Sequence, residues 1–187
     1  VDASAYVFQL REGVRWHEIS SQRTEDILWE NISPADGREL TADDLVFSYE
    51  RQRTPGWANT PLLQDLRTVE AKGPHSLEVT VNPEFSNADF LVSLADGHTK
   101  VVAREVVDIW GGLEGAPVIG TGPWKLKSLQ EDQGSVFVKN TSYFEESLPF
   151  LDELVIRIIR SEDTAYAAFR TGTVDLYRIS PSHWQRL

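Results

Sequence analysis

The chain has 187 residues, 41% of them hydrophobic and 25% charged, with a formal net charge of -11. That balance describes a folded chain able to bury roughly 70% of its unfolded surface and excludes disordered and fibrous classes. The acidic excess excludes nucleic acid or an anionic membrane as the main partner, because both require a basic footprint. With no cysteine, disulfide scaffolds, thiolate zinc sites and cysteine nucleophiles are excluded as well.

Methionine is also missing, even at position 1, so the chain is expected to start inside a longer gene product. The longest apolar run, Leu154 to Ile159, is interrupted by Arg157 and falls short of the ~20 residues a membrane helix needs.

Tyr6, Phe8 and Leu10 alternate with Val7, Gln9 and Arg11, a strand that Gly13 closes. Residues 17 to 40 lack periodicity and contain Pro34 and Asp36-Gly37, which predicts a long loop with little regular structure. Thr41 precedes Ala42, Leu45, Val46 and Tyr49 at helical spacing, with Asp44 as the reciprocal capping residue and Pro55-Gly56 as the stop. Leu77, Val79 and Val81 form a strand ended by Asn82-Pro83. Two short helices follow, about Ala88 to Ala95 before Gly97 and about Ala103 to Trp110 before Gly111-Gly112.

The stretch GAPVIGTGPWKLKSL, residues 115 to 129, poses a choice between a phosphate loop and a strand entry. Pro123 has no N–H to offer behind Gly120-Thr121-Gly122, no third glycine completes G-x-G-x-x-G, and Trp124, Leu126 and Leu129 follow among polar residues. A strand entry is the reading that fits. Strand Trp124 to Leu129 then turns through Glu131 to Gly134 and returns as Ser135 to Lys139. Leu154 to Ile159 reads as a strand covered on both faces. Ser161 caps a helix striped by Ala165, Ala168 and Phe169 and stopped by Gly172, and Val174 to Ile179 reads as a strand. Strand, helix and strand predict a βαβ unit with parallel strands. Ligands of open α/β sheets sit beyond the carboxyl ends of such strands, which points to the loops Arg160 to Asp163 and Ile179 to Pro181.

Candidate chemistry is sparse. His17, His75, His98 and His183 form no H-x-x-x-H or H-E-x-x-H spacing, so no metal is expected. Glu25-Asp26, Asp43-Asp44, Glu145-Glu146 and Glu162-Asp163 are adjacent pairs whose side chains diverge, which does not suit paired acid and base work. No G-x-S-x-G elbow is present, so an enzyme is not expected. Of the six tryptophans, Trp16, Trp110 and Trp124 read as core, while aromatic walls in general suit peptide side chains or sugar faces.

The blocks YVFQLREGVRWH, GRELTADDLVFSYER, VIGTGPWKL, KNTSYF, PFLDELVIRII and AYAAFRTGTVDL together resemble, in order and across nearly the whole chain, the extracellular solute-binding proteins of family 5. These are the peptide, oligopeptide and nickel receptors of bacterial ATP-binding-cassette importers. The resemblance implies a mixed α/β (α+β) fold of the type II periplasmic-binding-protein kind. It implies an inserted domain over 1–115, part of the first ligand-binding lobe over 116–187 (the hairpin plus the βαβ unit), and a second lobe absent from this chain. It further implies a receptor, outside the cytoplasm or periplasmic and membrane-anchored at full length, that closes two lobes over a small-molecule solute, a peptide first and an oligosaccharide second, and delivers it to a membrane permease. No covalent chemistry, cofactor or nucleic acid is implied. Together with the strand-end rule it nominates Tyr177, Arg178, Ile179 and Ser180 as ligand-facing, with Ser161 and Glu162 as a second choice. It implies that Gly120-Thr121-Gly122-Pro123 is the turn returning from the inserted domain, with glycine dihedrals closed to other residues, so that Gly122→Val is expected to lower the melting temperature. Residues 18 to 38 are longer than the family's usual Asp-Gly connection.

Overall fold

The computed structural model describes residues 5–19, 21–24, 27–30, 32–57, 60–82, 90–179 and 181–184, with the side chains of 182 and 183 excepted. Two sheets organise it. The first is antiparallel and three-stranded, with β5 (Ser76–Val81) between β1 (Ala5–Gln9) and β4 (Leu66–Gly73). Leu77, Val79 and Val81 alternate inward along β5, each contributing about 1.5–3 kcal/mol by leaving water. Helix α1 (Ala42–Gln52) covers this face with Ala42, Leu45 and Tyr49, and Leu63 and Phe90 complete the core.

The capping expected at Thr41 is present: its N–H donates to Asp44 Oδ2 at 2.9 Å. The Ala42 N–H donates to the Pro74 carbonyl at 2.7 Å, tying the helix start to the β4–β5 turn. Helix α2 (Phe90–Ala95) and helix α3 (Arg104–Trp110) match the two expected short helices. Ala88 and Pro83, where the first of these was expected to begin and the preceding strand to stop, lie outside the described residues.

The second sheet has five strands, in the order β3 (Leu28–Glu30), β2 (Ser21–Arg23), β6 (Trp124–Gln130), β7 (Gly134–Lys139) and β8 (Glu153–Arg157). The hairpin of β6 (Trp124–Gln130) and β7 (Gly134–Lys139) is as expected. Gly134 has φ +122°, and a Cβ there would collide with the Ile156 carbonyl of β8 (Glu153–Arg157), so glycine is required where the two strands meet.

Three expectations need correction. The segment 17 to 40 is not without structure: β2 (Ser21–Arg23) and β3 (Leu28–Glu30) form an antiparallel pair, and β2 joins β6 in parallel. The second sheet therefore draws strands from both sides of residue 115. Next, β8 is not covered on both faces, since Val155 and Ile156 are 48% and 50% exposed at the outer position of the sheet. Finally, there is no βαβ unit among the described residues. β8 runs antiparallel to β7, and after helix α4 (Glu162–Arg170) the segment Val174 to Ile179 pairs with no described strand. A strand exists only as half of a ladder, and here the Val174 N–H turns back to the Ala168 carbonyl of α4.

Candidate functional site: the clamped return and its cavity

The chain crosses from the first sheet to the second through residues 113–123, and three buried polar side chains, Gln22, His17 and Asn140, hold this crossing. Gln22, 1% exposed on β2, donates from Nε2 to the Val118 carbonyl at 3.1 Å and accepts the Val118 N–H at 2.7 Å. The His17 backbone N–H donates to the Gly120 carbonyl at 2.8 Å. Its ring accepts the Gly120 N–H at Nδ1 (3.3 Å), so Nε2 carries the proton and donates it to the Gly122 carbonyl at 2.9 Å. Asn140 Nδ2 donates to the same carbonyl at 2.9 Å. Burial holds the imidazole below its ordinary pKa, with Lys125 adding to the effect against the hydrogen bond to Gly122, so the ring is neutral and fixed in one tautomer.

The turn Gly120-Thr121-Gly122 is thus held through its carbonyls and one N–H. Neither glycine has a positive φ, and a Cβ on Gly122 would meet open space. The expectation of forbidden dihedrals at Gly122 is overturned.

Beside the clamp lies the ion network that orients α3. Arg38 spreads its guanidinium between Asp44 (2.6 and 2.8 Å) and Glu105 (2.5 and 2.9 Å), and Trp16 Nε1 donates to Asp44 at 3.4 Å. Burial opposes ionisation of Asp44, yet Arg38, the Thr41 N–H and Trp16 together hold its carboxyl below the usual range. The hydrogen bonds that Arg38 donates to Asp44, and then to Glu105, raise its pKa. These groups neutralise one another and form a structural joint.

Between α3 and the crossing lies a cavity of about 310 Å³ bordered by Lys100–Ala103, Val106, Leu113 and Ala116–Gly120. Its wall is mostly apolar, and Lys100 is its one charged residue. No spacing or motif signalled this cavity, although its lining all falls within residues 100–120.

The residues nominated from sequence lie elsewhere, around α4. Ser161 accepts the Thr164 N–H at 3.3 Å as the helix cap, and Glu162 begins the first turn. Tyr177 is half-buried, with its ring 6.4 Å from Tyr166 and 6.1 Å from Phe169. Residues 162, 166 and 169 share one helix face, so Tyr177 packs on the stripe that Glu162 opens. Arg178 is exposed, Ile179 half-buried, and Ser180 lies outside the described residues. The strand-end argument for this set is lost with the βαβ unit.

The described histidines sit apart: His17 in the clamp, His75 3.1 Å from Glu39 and His98 2.8 Å from Asp96. The tryptophans scatter too. Trp16 is buried as expected, Trp29 meets Trp110 edge-on at 5.2 Å, and Trp57 lies 4.0 Å from the Arg51 guanidinium.

Two sheets joined by a clamped crossing make up the described fold. The sequence matches the family described as bacterial extracellular solute-binding proteins, family 5 Middle, over residues 1–187, and the chain belongs to that family. It is 29% identical to heme-binding protein A of Haemophilus influenzae, covering 94% of this chain and 32% of that protein. It is 28% identical to the dipeptide-binding protein of Escherichia coli, covering 89% of this chain and 32% of that protein. The fold matches the solved oligopeptide-binding protein AppA of Bacillus subtilis in complex with a nonapeptide, with a TM-score of 0.78, 23% identity, and coverage of 100% of this chain and 34% of that one. The chain thus spans about a third of the length of the relatives it matches.

Proposed function

We propose that this chain forms part of the ligand-binding wall of an extracellular receptor that captures peptides and delivers them to the permease of an ATP-binding-cassette importer. The observation that carries the reading is the clamp. His17, Gln22 and Asn140 fasten the crossing at 118–122 to elements on both sides, which gives the stiff lobe that hinge closure over a ligand requires. The family membership and the peptide-binding names among the relatives support the same reading.

In this proposal residues 1–115 act as the inserted domain and 116–187 as part of the first ligand-binding lobe, while the opposing lobe comes from sequence outside this chain. Tyr177, Arg178, Ile179 and Ser180, with Ser161 and Glu162, stay as proposed ligand-facing residues, supported by the seat of Tyr177 on α4. Capture and release involve no covalent step. The full-length receptor works outside the cytoplasm, anchored to the membrane. The oligosaccharide alternative asks for aromatic rings along one wall, and the tryptophans among the described residues do not line up in that way.

The test is native mass spectrometry of the full-length polypeptide after purification. Added masses that match short peptides support the proposal, hexose increments replace it with the sugar reading, and an unladen protein that binds no peptide from a mixture after refolding rejects it.

A further inference from the structure

The two segments that border the cavity share an alternation that the fold does not use up. The Lys100 carbonyl accepts from Gln52 Nε2 at 2.8 Å, and the Ser48 hydroxyl takes both the N–H and the carbonyl of Val102, at 2.9 and 3.3 Å. On the other wall Gln22 takes both backbone groups of Val118, and His17 takes both of Gly120. Successive residues of an extended chain turn their N–H and carbonyl to opposite edges. Val101 and Ile119 therefore turn theirs away from these side chains. Among the described residues those backbone groups have no hydrogen bond, although both residues border the cavity. Backbone groups this close to an apolar wall are normally paired.

We propose that the cavity is the side-chain pocket that sets the receptor's preference. It takes one bulky apolar residue of a bound peptide, aliphatic or aromatic, while the peptide main chain pairs with the free edge at Ile119. The proposal rests on the peptide reading above and adds a substrate class to it. Three observations commit it to this occupant. The volume of about 310 Å³ is at the small end of the ~300–1,000 Å³ typical of whole ligand sites, so it suits one large side chain and not a folded ligand. The wall offers apolar surface from Val106, Leu113 and Val118. No acidic residue is among its lining, so a lysine or arginine side chain, which burial already penalises, finds no carboxylate there. Ile119 is the better docking edge because both its neighbours are fastened by buried side chains, and a peptide strand added to a rigid edge gains main-chain hydrogen bonds at little ordering cost.

The experiment is calorimetric titration of the full-length polypeptide with alanine tetrapeptides that carry phenylalanine, leucine or lysine at each position in turn. At one position phenylalanine or leucine is expected to bind ~10-fold or more tightly than lysine or alanine. Val118→Trp and Leu113→Trp, placed at wall residues that are 54% and 46% exposed, are expected to fold and to shrink that preference below about twofold. An equal preference at every position, or one that survives both variants, overturns the pocket. A protein that binds no tetrapeptide defeats the peptide reading itself. The pocket is then judged by titrating N-acetylphenylalanine amide into methyl-labelled protein. Shifted signals from Val101, Val106, Leu113, Val118 and Ile119 uphold it as a site for an apolar group, and unshifted ones reject it.

Discussion

The two sheets handle apolar surface in opposite ways. The first is closed: β5 is paired on both edges, α1 lies over it, and Leu63, Val79, Val81 and Phe90 are at most 1% exposed. The second is sealed only near the crossing, where Leu126 and Gln22 are buried, and it ends in β8 and α4, whose residues are all half-buried or exposed. Phe150 and Leu176 are 83% and 90% exposed. The first sheet draws its stability from its own core, whereas the second depends on the polar fastening at its inner edge. Substitutions should separate the two.

The largest effect is expected in the first sheet. Phe90→Ala should cost about 3–5 kcal/mol in urea unfolding, because the ring is buried and its cavity cannot collapse; a loss under 1 kcal/mol would mean that the core is looser than its burial implies. Arg38→Met comes next, at roughly 3 kcal/mol, the lower end for a broken buried pair. It strands Asp44 at 4% exposure, while the arginine side chain itself is 35% exposed. Restoring the loss with Asp44→Asn would confirm that the stranded carboxylate is the cause.

His17→Gln is expected to cost about 1–2 kcal/mol, as a buried hydrogen-bonding group loses its fit, and it should also change the pH profile. The folded-state pKa of His17 lies below its unfolded value of 6.5, so unfolding takes up a proton. The contribution of His17 is full above pH 6.5 and is lost as pH falls through the folded pKa. Asp44 and Glu105, held below ordinary values of 3.8 and 4.5, lose theirs at lower pH. Melting temperatures between pH 7 and 5 should fall in the parent chain and stay flatter in His17→Gln. The smallest effects belong to Ile156→Ser and Gly122→Val, within about 0.5 kcal/mol each, since one side chain is half exposed and the other site has room for a Cβ. A drop of several degrees for Gly122→Val would restore the dihedral account of the turn.

What could be read from sequence divides along the same line. Helix α1 was legible because cap, apolar spacing and stop all lie within fifteen or so neighbouring residues, as is usual for local signals. The β6–β7 hairpin was legible for the same reason. Strand β4 escaped because a register shift between Leu66 and Thr68 breaks its period of two. Strands β2 and β3 escaped because each has three residues and because Gln22, polar and buried, finds its partners 96 and 104 residues away. The same distance hid the clamp: His17 looked like an isolated histidine until its turn was brought beside it. At Val174 to Ile179 the alternation was real in sequence, but pattern alone cannot supply a neighbouring strand. The family was legible because six ordered blocks hold together even where single elements are misread.

The parallel pairing of β2 with β6 also dictates an order of assembly. Bringing Gln22 to Leu126 closes a loop of 104 residues, about 2 kcal/mol more costly in chain entropy than closing a hairpin ten residues long. The β4–β5 hairpin meets no such barrier. During synthesis the β4–β5 hairpin can therefore form while β2 and β3 wait without their neighbour, and the second sheet is completed only after β6 has left the ribosome. A pulse of hydrogen exchange during refolding should protect Val79 before Leu126.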